Sequence, residues 1–98
     1  MLSLSSPGEV IRSVASRARD RRLREGLTQQ ALADRSGVSF GSIKRFERTG
    51  EISLRGLVQV AFALGVQGDF EGLFQPIPFA TLDEVLATPR KPMRGRRR

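Results

Sequence analysis

One device occurs three times in this chain: an apolar residue, then Ser or Thr, then a second apolar residue five positions after the first. It is seen in Leu27-Thr28 with Leu32, Val38-Ser39 with Ile43, and Ile52-Ser53 with Leu57. Each copy reads as a helix start, the hydroxyl accepting from a backbone N–H one turn ahead while the two apolar side chains staple the entry. Gly37 and Gly65 supply left-handed stops, and Arg48-Thr49-Gly50 makes the turn between the second and third copies. Helices confined between such closely spaced signals are short and their links shorter, which leaves room for an all-α bundle and none for a sheet.

Two further helices complete the set. Ser6-Pro7-Gly8-Glu9 is a capping box with Pro at the first helical position. The helix it opens carries Ile11, Val14, Ala15 and Ala18 on one face and ends near Glu25 and Gly26. The helix from Leu54 is apolar nearly all round (Leu57, Val58, Val60, Ala61, Phe62, Leu64), so it is expected at the centre. A brief helix is expected from Asp69 to Phe74, and Pro76 and Pro78 then break the chain. Thr81-Leu82-Asp83-Glu84 is one more capping box, for a helical turn to Ala87. The organisation expected is a domain over residues 1–75, an extension over 76–89 and a disordered basic tail over 90–98.

Composition narrows the chemistry. The 98 residues contain no Cys and no His, which excludes disulfide scaffolds, zinc fingers, cysteine nucleophiles and imidazole bases. The Asp, Glu, Lys, Arg, Ser and Thr that remain form no catalytic grouping, so no enzyme, metal or cofactor is expected. The longest apolar stretch, Leu57 to Val66, is interrupted by Gln59 and is too short to span a bilayer. The first residues lack the charged and apolar regions of a signal peptide, so the expected location is cytoplasmic.

Charge is distributed in blocks. With 17 Lys and Arg against 10 Asp and Glu the net charge is +7, which favours polyanions and nucleic acid above all. Residues 1–50 carry a net +5, residues 51–89 a net −4, and residues 90–98 a net +6. A basic N-terminal half, an acidic middle and a basic tail suggest different partners for different surfaces.

The second and third helices form a helix-turn-helix. Two helices crossing over a tight turn need a small residue where they touch, which is Ala33, and a positive φ at the turn, which Gly37 adopts at little cost. Ile43 and Phe46 pin the third helix to the core. Ser39, Phe40, Gly41, Ser42, Lys44, Arg45 and Arg48 lie at its start or on its free side. Lys44 and Arg45 can donate to guanine edges, Ser39 and Ser42 to bases or phosphates, and Arg48 to a phosphate. Phe40 either packs on a thymine methyl or is a core residue displaced by one position. Gln29, at the first position of the second helix, either helps bind a phosphate at that N-terminus or simply faces solvent. Arg22 and Glu47 point inward from the first and third helices, and inward charges must be paired.

In these residues the chain resembles the Xre/Cro/C1-type helix-turn-helix domains of phage repressors and bacterial regulators. The resemblance runs through Leu27-Thr28-Gln29, Leu32-Ala33, Gly37-Val38, Ile43, Glu47 and Ala63-Leu64-Gly65-Val66, and covers about two-thirds of the chain once the first helix is included. It implies a five-helix, lambda-repressor-like fold and a homodimer. It also implies a third helix in the major groove of an inverted-repeat operator in double-stranded DNA, and an Arg22–Glu47 bridge. Two departures stand out. Phe40 and Gly41 occupy positions where members often carry polar base readers, and Arg48-Thr49-Gly50 replaces the commoner Asn-Gly-Lys type of turn. The stretch Ile43 to Leu54 with the Arg-rich tail is most similar to antitoxin-type, HipB-like regulators encoded beside HipA-like kinases. This implies a HipA-like toxin as an alternative partner, with DNA binding as autoregulation. A charge-driven, sequence-independent nucleic-acid binder is the remaining alternative.

Overall fold

A computed structural model describes residues 6–77. Its elements are α1 (Pro7–Arg24), α2 (Gln29–Ser36), α3 (Phe40–Thr49), α4 (Leu54–Leu64) and α5 (Gly68–Glu71), with no strand among the described residues. The fold is all-α, as the repeated caps require.

The caps form as the sequence dictates. Ser6 and Glu9 close a reciprocal box, each side chain accepting from the other residue's backbone N–H at 3.1 Å. Thr28, Ser39 and Ser53 accept from the N–H groups of Ala31, Ser42 and Gly56 at 3.0, 3.1 and 2.9 Å. Each such bond satisfies a donor that has no partner inside its helix and contributes about 1 kcal/mol. Gly37 and Gly50 end α2 and α3 at φ 79° and 86°, a region that other residues enter only with strain. At Gly50 a second constraint applies: a Cβ there would collide with the side chain of Ile11 on α1.

The core lies where α2, α3 and α4 meet. Leu32, Ala33, Val38, Ile43, Val60 and Leu64 form one buried cluster, with Leu27, Ile52, Ala63 and Val66 packed on its edge. α3 packs against both α1 and α2, and α4 against α2. Ala15 of α1 and Phe46 of α3 are buried as well. Polar groups finish the packing: Gln59, the interruption in the apolar stretch, donates to the Ser36 carbonyl at 3.0 Å and so caps the end of α2.

Three expectations change. α4 is not enclosed on all sides: Gly56, Val60, Ala61 and Leu64 are buried, but Leu54 is exposed and Phe62 is 62% exposed. Among the described residues, α4 packs chiefly against α2, and no helix covers the side that carries Leu54 and Phe62. On α1, Ala15 alone of the apolar face is fully buried, while Ile11 stays accessible beside Gly50. α5 stops at Glu71 rather than reaching Phe74, which is 95% exposed at φ 61°. The apolar residues Phe70, Leu73, Phe74, Ile77 and Phe79 read in the sequence either as a dimer or partner contact or as closing the core; Leu73, Phe74 and Ile77 are exposed and do not close it. Phe79, the capping box at Thr81–Glu84 and the tail 90–98 lie outside the described residues. No helix among the described residues is long and apolar enough to cross a membrane.

Candidate nucleic-acid interface

The interface is built from α3 outward. Ile43 and Phe46 bury the inner side of this helix. At 100° per residue, Gly41, Lys44, Arg45 and Arg48 then fall together on the opposite side, and all four are exposed. One helix thus offers three cations around a position with no side chain. Arg48 sits in the last turn of α3.

Phe40 lies on the outside. It is the first residue of α3, 40% exposed, and the ammonium of Lys44 stands 4.8 Å from its ring centroid. A cation over an exposed ring is held by about 0.5–1 kcal/mol. Lys44 therefore leans toward the N-terminal end of α3 while the ring keeps an open face. Ser39 is occupied as the cap, and its hydroxyl donates to Ser42 Oγ at 2.9 Å. Ser42, exposed, keeps its own hydroxyl hydrogen for an outside acceptor.

Behind this face a charged clamp fixes α3. Nε and Nη2 of Arg22 donate to Oε2 and Oε1 of Glu47 at 2.7 and 2.9 Å, and Nη1 donates to the Leu27 carbonyl at 2.8 Å. The two side chains are only 8% and 4% exposed. Glu47 Oε1 also accepts from Gln29 Nε2 at 3.0 Å. Burial acts to raise the Glu47 pKa; the hydrogen bonds from Arg22 and Gln29 and the charges of Arg22 and Arg19 outweigh it, so the carboxyl is held below the ordinary glutamate value. α1, the α1–α2 link, α2 and α3 thus share one ionised centre.

The sequence-based sites divide accordingly. Gly41, Ser42, Lys44, Arg45 and Arg48 stand on the open side of α3 with Phe40 at its start, Ser39 is bound up in the cap, and Arg22 and Glu47 lie behind. Gln29 is half-buried at the start of α2, and its amide donates to Glu47, a contact that neither reading of it included. Its bonding partner is 18 positions away, beyond any local signal. Glu51 was missed altogether. It pairs with Arg45 at the edge of the same face, from the link between α3 and α4. Its signal in the sequence was a lone acidic residue just after the turn at Gly50.

The geometry is that of two capped helices joined by a tight turn, the second presenting cations outward. A helix-turn-helix family model, HTH_3, matches residues 19–70, more than half of the chain, from the last third of α1 into α5. No curated protein and no solved structure is found to match. The match takes in the whole clamp and the whole outer face of α3, and the chain belongs to this family, the Xre-type helix-turn-helix domains of DNA-binding regulators.

Proposed function

We propose that the protein is a sequence-specific transcriptional repressor that binds an inverted-repeat operator as a homodimer and acts by occupying promoter DNA. The observation that carries this reading is the outer face of α3, where Lys44, Arg45 and Arg48 surround Gly41 while Ile43 and Phe46 hold the back of the helix. Arg and Lys on a groove-inserted helix donate to guanine O6 and N7, and Arg48 and Ser42 add contacts to phosphate or bases. Phe40 offers its ring to a thymine methyl. The exposed Leu73, Phe74 and Ile77 support a protein contact after α5, with a second copy as the partner. An antitoxin reading draws on the same apolar surface, with a kinase-like toxin in place of the second copy.

Selection from a random duplex library tests the proposal. The expected result is an inverted repeat whose half-sites lie about one helical turn (~34 Å) apart. Sedimentation at micromolar protein is expected to give twice the 10.8 kDa chain mass. Failure to enrich any sequence overturns the repressor reading. A monomer, both free and on the enriched duplex, overturns the homodimer and favours the toxin-binding alternative.

A further inference from the structure

We infer that Glu51 is a specificity-determining residue of this interface: it holds the guanidinium of Arg45 in place for base reading and repels phosphates that would otherwise capture it. The inference rests on the DNA-binding reading above. Arg45 projects from the outer face of α3, and its Nη2 donates to the Glu51 carboxylate. Both side chains are exposed. A surface ion pair of this kind adds little to stability. What sets it apart is the way its acidic member is mounted.

Glu51 stands on a fastened turn. Gly50 takes φ 86° and sits so close to Ile11 that α1 fixes the path of the chain. Thr49 Oγ1 donates to the Arg45 carbonyl at 2.8 Å and accepts from the Glu51 N–H at 3.1 Å. The residue that carries the carboxylate is therefore tied to the backbone of the residue that carries the guanidinium. Two residues further on, Ser53 caps α4 and holds the other end of the link.

Two consequences follow from elementary electrostatics. A free arginine samples many rotamers, and ordering it against a base costs entropy. One held by a carboxylate has met part of that cost and still presents further N–H donors in a fixed fork. The carboxylate is also an anion on a cationic face. It weakens every sequence-independent phosphate contact nearby, and those contacts supply nearly all non-specific affinity. Glu51 therefore trades affinity for discrimination.

The test compares wild type, Glu51→Gln, Arg45→Ala and the double variant on two duplexes at one salt concentration. One is the duplex enriched by wild type from a random library, and the other a scrambled duplex of the same composition. Glu51→Gln is expected to bind the scrambled duplex about two- to fivefold more tightly. The ratio of enriched to scrambled affinity is expected to fall about fivefold. In the Arg45→Ala background, Glu51→Gln is expected to leave that ratio unchanged, since the side chain it positions is gone. An unchanged ratio in the single variant overturns the inference. So does an equal fall in both backgrounds, which would make Glu51 a direct reader of a base. A wild-type protein that enriches no sequence overturns the DNA-reading proposal itself, a result separate from either of these.

Discussion

Gln29 Nε2 lies 3.0 Å from Oε1 of Glu47, the same oxygen that accepts from Nη2 of Arg22 at 2.9 Å. The first residue of α2 and the last turn of α1 thus meet on one carboxylate of α3. Every nitrogen of the Arg22 guanidinium is used, two on Glu47 and one on the Leu27 carbonyl. Ile43 and Phe46 set which side of α3 faces the core, and hydrogen bonds with defined partners narrow its rotation further. The buried fork on Glu47 thus helps fix the direction of Lys44, Arg45 and Arg48.

Removing the carboxylate should be costly. Glu47→Ala leaves the Arg22 charge buried without its partner, a loss of about 3–5 kcal/mol. Gln29→Ala leaves the ion pair intact and removes one charge-assisted bond, for about 1.5–3 kcal/mol at most. Urea midpoints at neutral pH are expected in the order wild type, Gln29→Ala, Glu47→Ala. Equal midpoints for wild type and Glu47→Ala would show that the clamp does not hold the fold.

The same group makes stability depend on acid. The Glu47 pKa is lowered in the folded protein by Arg22, Gln29 and Arg19 against the opposing effect of burial. Its contribution is therefore complete above the unfolded glutamate value of about 4.3 and is lost as pH falls through the lower folded value. Unfolding followed from neutral pH into that range is expected to show falling stability in wild type. Glu47→Gln, already weaker at neutral pH, should fall less steeply; parallel curves would remove Glu47 as the titrating group.

Gly41 should separate stability from binding. It lies in the first turn of α3, exposed, at an ordinary helical φ, and a Cβ added there meets nothing within 4 Å. The fold has no use for a glycine at this point, and Gly→Ala in a helix stabilises by about 0.5–1 kcal/mol. Gly41→Ala is therefore expected to raise the melting temperature. It should also weaken DNA binding by about 1–3 kcal/mol, as added methyls do in a close-packed contact. A stabler variant with unchanged affinity would show that DNA does not approach the helix at Gly41.

The basic tail should read out as salt dependence. Residues 90–98 contain six cations. If half of them engage phosphates, deleting the segment lowers the slope of log K against log salt by about 3 per protomer. Sequence preference should stay the same, because phosphate contacts position and do not specify. Identical slopes for full-length and truncated protein on one duplex would assign the tail to something other than DNA.

What could be read from the sequence was local. Thr28, Ser39 and Ser53 cap residues three positions ahead, and Gly37, Gly50 and Gly65 stop helices beside them, so chain geometry alone determines the number of motif helices and their ends. Helical periodicity likewise separates Ile43 and Phe46 from Lys44, Arg45 and Arg48. The inward direction of Arg22 and Glu47 follows from their spacing to Ala18 and Ile43. Tertiary structure decided what depends on neighbours distant along the chain. Gln29 turns onto Glu47 because α3 brings a half-satisfied carboxylate to it. Gln59 lies in an apolar helix because the open end of α2 needs a donor there. Phe62 and Leu54 stay exposed because no helix among the described residues covers that side of α4. Glu51 reaches Arg45 because Gly50, pressed against Ile11, turns the chain back toward α3. Periodicity reports which residues share a face; which atoms meet across faces is set by the packing of whole helices.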